Sequence, residues 1–197
     1  LAPSVGVYVS VHLGWQWVFI VLSAFVLLML LVTACVLPEG HSPDRSISLR
    51  AGPILRNYHA VLKEPQFLTY ALSGAFSFSG LLVYVAGSPI VFMEVYHVSA
   101  QEFGAIFAGL SVGFIGSNQV NVLLLRKFSS EQIFRGALLV ECPVALLLLV
   151  GTVCGWFSLE GTLVLLFISL SSLGLAYPNA AALALAPFDR NIGSASA

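Results

Sequence analysis

Five stretches of this chain are too long and too free of charge for the interior of a small soluble domain. Residues 17–37, 67–93, 103–125 and 163–187 each run without one charged side chain, and residues 136–157 run with only Glu141. A hydrocarbon core about 30 Å thick is crossed by roughly 20 residues of helix, so each stretch has the length of a membrane span. The composition agrees: 58% of the residues are hydrophobic and 9% are charged, against about 25% charged in a soluble domain. The mean hydropathy is +0.96. The expected class is an all-α, multi-pass membrane protein.

The gaps between the spans carry the orientation. All eight Lys and Arg residues (Arg45, Arg50, Arg56, Lys63, Arg126, Lys127, Arg135 and Arg190) lie in alternate gaps. Because cations near span ends are retained on the cytoplasmic side, loops 38–66, 126–135 and 188–193 are assigned inside. The gaps around Trp15, His97 and Glu160 are then outside. Trp15, Trp17 and Trp156 fall at that outer boundary, where an indole ring sits in apolar surroundings with its N–H near water.

Several function classes drop away. The three cysteines, Cys35, Cys142 and Cys154, are widely spaced in apolar sequence and suggest neither a disulfide framework nor a metal site. The formal net charge is −1 without a dense basic cluster, so nucleic acid is not an expected partner. His12, His41, His59 and His97 are scattered over both sides, which disfavours a membrane-embedded enzyme. Leu1 lies inside an apolar stretch, 1–13, that is too short to span, and residues 193–197 are a small-residue run. Both ends therefore read as positions within helices of a larger, transporter-sized protein.

Local signals place the helix boundaries. Ser99-Ala-Gln-Glu102 and Ser129-Ser-Glu-Gln132 have the spacing of a capping box, in which side chains satisfy backbone N–H groups that lack a helical partner. In the longest inside gap, residues 38–48 are rich in Pro, Gly, Ser and charge and read as a linker. From Pro53, Ile54, Leu55, Tyr58, Val61 and Leu62 recur at helical spacing, with Arg50, Arg56, Asn57 and Lys63 on other faces. That pattern predicts an amphipathic helix along the inner leaflet, serving as a strap or as a regulatory element.

Polar and small residues recurring on one face of a span mark a helix seam or a wet cavity, since lipid-facing surfaces take apolar side chains. Ser73, Ser77, Gly80, Tyr84 and Gly87 form one such stripe. Gly109, Gly113, Ser117 and Asn121 form another, with Asn118 and Gln119 beside it. The Gly109-x-x-x-Gly113 spacing predicts close helix approach. The buried amides each require a partner, because an unpartnered one costs about 2 kcal/mol or more. Glu141 stands about 9 Å beyond Arg135 at 1.5 Å per residue. An ionised carboxylate at that depth is costly, so Glu141 is expected to be paired, hydrated or protonated, and protonation would make it a proton-coupling candidate. In the last span Pro178, between Tyr177 and Asn179, lacks the amide hydrogen for one helical hydrogen bond, which predicts a bend.

The order of these features resembles the drug/proton antiporters of the major facilitator superfamily. Residues 1–6 (Leu-Ala-Pro-Ser-Val-Gly) and 14–19 (Gly-Trp-Gln-Trp-Val-Phe) are similar to the end of the fifth helix and the turn into the sixth. Residues 77–80, 88–92, 98–104, 179–182 and 193–196 resemble the bicyclomycin/chloramphenicol-resistance (Bcr/CflA) subfamily. One of the usual paired glycines of the fifth-helix motif is kept at Gly6, and the basic inside-loop motif is reduced to Arg126-Lys127-Phe128. The resemblance implies a partial major facilitator fold of five complete transmembrane helices plus two truncated ones. Residues 1–37 would close the N-terminal half, 38–66 link the halves, and 67–197 carry helices seven to ten and the start of helix eleven. It further implies proton-coupled export of small amphipathic drugs from a bacterial inner membrane, driven by the proton gradient without a bound cofactor. Its partners would be the drug, protons, the lipid bilayer and the N-terminal helices not present in these residues. The cavity candidates are Ser77, Tyr84, Asn118, Asn121, Tyr177 and Asn179; because the seventh and tenth helices line the cavity in this family, Tyr84 and Asn179 are favoured. Transport of a sugar or other metabolite is the competing expectation.

The topology is directly testable with single-cysteine variants in the full-length protein. A membrane-impermeant thiol reagent added from outside should label H97C and spare R50C; labelling of both would overturn the assignment.

Overall fold

The computed structural model describes residues 2–36 and 51–188. The linker residues 38–48, Arg45, Arg50, Arg190 and the expected start of a further helix after residue 188 lie outside the described residues. The chain divides into two compact units, Leu1–Leu49 and Arg50–Ala197.

In the first unit, α1 (Ala2–Leu13) and α2 (Gln16–Val36) are joined by a tight turn at Gly14, whose φ of +97° is open to glycine without strain. Trp15 packs edge-on against Phe19 at 6.0 Å between ring centroids, fixing the first turn of α2. No residue of α2 is buried within this unit. Its exposed surface is almost wholly apolar, as lipid or neighbouring helices require.

The second unit contains α3 (Ala51–Leu62), α4 (Pro65–Pro89), α5 (Ala100–Leu124), α6 (Ser130–Val153) and α7 (Leu159–Leu185). The expected amphipathic helix is α3. It buries Val61 and leaves Leu55, Tyr58 and Leu62 exposed. Five helices, α2 and α4 to α7, are long and apolar enough to cross a membrane. They coincide with the five expected spans.

The expected boundary chemistry is present. The Ser99 backbone N–H donates to Glu102 Oε2 at 3.0 Å and the Glu102 N–H to Ser99 Oγ at 3.3 Å. Ser129 and Gln132 repeat the exchange at 3.0 and 3.2 Å. A third N-cap, Ser158 accepting from Gly161 N–H at 3.4 Å, starts α7. The span that begins with α4 does not stop at Pro89: Ile90–Val95 continue it as a π-helical turn. A proline lacks its own amide hydrogen, and widening the following turn accommodates the altered register.

α7 is the centre of the unit, with α4, α5 and α6 all packed against it. Consecutive spans run in opposite directions. At one end Tyr96 Oη and Thr162 Oγ1 share a hydrogen bond of 2.7 Å, and Phe92, Val98, Leu110 and Leu170 form a buried cluster. At the other end Gln66 Nε2 donates to the Leu183 carbonyl at 3.0 Å, Phe67 meets Phe188 at 5.7 Å and Tyr70 meets Phe134 at 5.3 Å. Pro65, Thr69, Glu131 and Leu183 line one shallow depression at that end. Glu131, in that depression, accepts from the Arg135 guanidinium at 2.5 Å on the exposed face of α6. Glu94 and Glu160 fall at the opposite end, beside Tyr96 and Thr162.

Small residues let these helices approach. A Cβ placed on Gly113 would lie 2.8 Å from Ser171 Oγ and 2.9 Å from the Phe167 ring, and one on Gly74 would lie 3.0 Å from Ala180 Cβ. On α7 itself, Gly174 faces Ser117 and the Phe114 carbonyl so closely that any Cβ would overlap them. Gly109, the other member of the expected Gly-x-x-x-Gly pair, faces open space. The seam between α5 and α7 therefore uses Gly113 with Gly174, one glycine from each helix.

Replacing Gly174 with Ala should destabilise the folded protein by about 1–3 kcal/mol, the usual range for overpacking. Gly109→Ala should be close to neutral. Thermal stability of both variants in detergent would check this, and equal effects would contradict the seam.

Candidate functional site

Four polar groupings occupy the inward faces of α4 to α7, and each is set by the register of the helix that carries it. Ser117 and Asn121, one turn apart, point from α5 to α7. Asn121 and Asn179 are both buried and bond to each other: Asn179 Nδ2 donates to Asn121 Oδ1 at 2.7 Å and also to the Leu175 carbonyl at 2.8 Å. Asn118 turns back on its own helix, donating to the Phe114 carbonyl at 2.9 Å. Its neighbour Gln119 is exposed. Three of the four candidate positions on α5 and α7 thus have internal partners, and the exception is Tyr177.

Tyr177 is half exposed and its ring lies 4.8 Å from that of Phe78 on α4. These two rings, with Tyr70 and Phe67, line a groove of about 410 Å³ between α4 and α7. The floor is small: Gly74 and Ala180 bring the helices together beneath the rings. A groove of this kind suits a flat apolar or amphipathic molecule, because aromatic faces supply contact area while few polar groups demand a partner. A second groove of about 390 Å³, between α5 and α7, is lined by Ile106, Leu110, Leu163, Val164 and Phe167 with no polar side chain. It offers nothing to orient a ligand.

Tyr84 lies further along α4. Its ring stacks on Phe107 at 5.7 Å, and its hydroxyl is buried with no hydrogen-bond partner among the described residues. Buried hydroxyls are almost always satisfied, so this atom is poised for a donor or acceptor from elsewhere.

Ser77 and Glu141 form the fourth grouping. Ser77 Oγ donates to Glu141 Oε2 at 3.3 Å, linking α4 to α6. Glu141 lies midway along α6, because the helix begins at the Ser129 cap, well before its apolar run. Ser77 likewise lies midway along α4 and is buried. Ser73 of the same stripe is half-buried, and Gly80 faces open space. The stripe is therefore divided between a contact to α6 and a stacked tyrosine.

These features define a class: a bundle of membrane-length helices that turns its few polar side chains toward one another and toward an aromatic groove, as carriers of small molecules do. The chain belongs to the Major Facilitator Superfamily, whose family model matches residues 1–197. It is a multi-pass membrane protein of a transporter family, not of an enzyme family. It is 30% identical to a bicyclomycin resistance protein homolog of Haemophilus influenzae over 141 residues, covering 72% of this chain and 35% of that protein. It is 26% identical to the uncharacterized MFS-type transporter YdgK of Bacillus subtilis, over 93% of this chain and 45% of that one. It is also 26% identical to the multidrug transporter MdfA of Escherichia coli, over 100% of this chain and 48% of that one. The chain thus spans between about a third and a half of the length of these relatives.

The Asn121–Asn179 bond was not visible in the sequence, since 58 positions separate its ends. Replacing Asn179 with Leu should leave the Asn121 amide without its partner and cost about 1–2 kcal/mol. The N121L/N179L pair should recover part of that loss. A double-mutant cycle on thermal stability measures the coupling, and strict additivity of the two single effects would contradict it.

Proposed function

We propose that these residues form part of an exporter that exchanges protons for small amphipathic drugs, moving between inward-open and outward-open states by rocking one half against the other. The observation that carries the reading is the aromatic groove between α4 and α7, found in a chain similar to a bicyclomycin resistance protein homolog and to a multidrug transporter. Tyr177 and Phe78 would stack on a planar drug. The Tyr84 hydroxyl would supply a directional hydrogen bond further along α4. Asn121 and Asn179 would contribute by holding α5 and α7 in register, and these two, like Asn118 bonded within its own helix, would reach a ligand only on exchanging their present partners.

Low polarity in the groove supports broad drug recognition over recognition of a sugar. A sugar presents many hydroxyls, each of which needs a polar partner when it is taken out of water. Among the residues lining the groove, only the hydroxyls of Tyr70 and Tyr177 offer one. The reading implies no bound cofactor, with the proton gradient as the energy source.

Reconstituted full-length protein should show proton movement when a cationic amphipathic drug is added, and none on addition of sugars. Flux driven only by a metabolite would reject the exporter reading. Tyr177→Ala should weaken apparent drug affinity about three- to tenfold, as expected for one aromatic contact. An unchanged affinity would remove Tyr177 from the groove's function.

A further inference from the structure

Among the described residues Glu141 is the one acidic side chain within the middle of a span, and none of their cations pairs with it. Among the described residues the single ion pair is Arg135 with Glu131, at the helix end. α4 carries no charged side chain between Glu64 and Glu94, α5 none between Glu102 and Arg126, and α7 none after Glu160. The other titratable groups on these helices are Tyr70 and Tyr84 on α4, Tyr177 on α7 and the exposed Cys142 beside Glu141. Tyr70 is engaged with Phe134, Tyr84 with Phe107 and Tyr177 with Phe78. The polar contact left to Glu141 is the Ser77 hydroxyl at 3.3 Å.

One hydroxyl is a poor substitute for the water or cation that an ionised carboxylate requires in a lipid environment. A carboxylic acid, by contrast, is well served there. It can accept from Ser77 through its carbonyl oxygen, or donate to the Ser77 oxygen, which has lone pairs to spare. The pair is also placed where a proton would matter mechanically. α4 and α6 are both packed on α7 but touch each other little, so the Ser77–Glu141 bond is a principal polar link between them.

We propose that Ser77 and Glu141 form a mid-membrane proton site in this half of the transporter, with Glu141 holding the proton and Ser77 acting as the positioning residue that fixes its carboxyl. The site takes up and releases one proton per cycle, and each step changes the strength of the link between α4 and α6, because a charged carboxylate holds the Ser77 hydroxyl more tightly than a neutral carboxyl does. The binding of a proton does not depend on which substrate is carried; only its use in coupling rests on the exporter reading above. In this arrangement Ser77 serves the Glu141 carboxyl.

The test uses the full-length protein in lipid vesicles. Infrared titration should reveal a protonated-carboxyl carbonyl stretch that vanishes as pH rises, and Glu141→Gln should remove it. Ser77→Ala should displace the midpoint of that titration, whereas Ser77→Thr, which keeps the hydroxyl, should restore it. A merely structural serine would alter stability without moving the midpoint. In drug-driven flux, Glu141→Gln should lower the number of protons moved per drug while drug binding persists. A carboxyl band that survives Glu141→Gln, a midpoint indifferent to Ser77→Ala, or an unchanged proton count would each overturn the proposal. If the unmodified protein moves no drug, the exporter reading falls, and the infrared arm still decides the proton site.

Discussion

Helices already dissolved in lipid gain little by hiding apolar surface from one another, because the tails around them are equally apolar. What remains is close backbone contact and hydrogen bonding, and the second unit is arranged around that limit. α7 is its central element because it carries the residues that permit approach from three sides. Gly174 admits α5, Ala176 and Ala180 admit Phe134 and Ala137 of α6, and Ala180 meets Gly74 of α4. Each is small, so distance is set by backbone rather than by side chains. The hydrogen bonds then fix the register that small residues leave loose: Asn179 with Asn121, Thr162 with Tyr96, and the Leu183 carbonyl with Gln66.

That economy separates two kinds of polar residue. Those satisfied within the bundle hold it together, as the two asparagines do. Those left with a weak partner or none, Glu141 and the Tyr84 hydroxyl, are the places where the fold keeps a cost that chemistry could use. The aromatic groove lies between the two kinds. Its rings are offered at the surface of the unit, and its small floor exists only because α4 and α7 approach at Gly74 and Ala180. Structure and candidate site therefore draw on the same small residues.

The spans were legible because their signal is local. An uncharged run of helix length needs no knowledge of its neighbours, and neither do the Ser99 and Ser129 caps, whose partners sit three residues away. The partners across the bundle were not legible. The Gly109-x-x-x-Gly113 spacing predicted approach by both glycines, yet Gly109 faces open space and Gly113 pairs with the Phe167–Ser171 turn. A spacing rule finds one face of one helix; it cannot say which glycine the opposing helix will reach. Ser77 and Glu141 were each visible as unusual residues. Their meeting depends on two helix phases 64 positions apart, which no single window contains.

The end of α4 shows the same division between local cause and distant consequence. Pro89 lies within the expected span 67–93, and its effect is to widen the turn that follows it. The chain continues through Ile90–Val95 as a π-helical turn, carrying Phe92 into a fully buried position and Tyr96 onto Thr162. An extra residue in one turn rotates everything beyond it, so the face that α4 presents near Tyr84 is not the face it presents near Tyr96. The span can therefore offer an aromatic groove at one end and anchor to α7 at the other. The cause is local, a proline without an amide hydrogen at position 89, and the consequence is distant, since the widened turn after it sets which side chains meet α7 at Thr162.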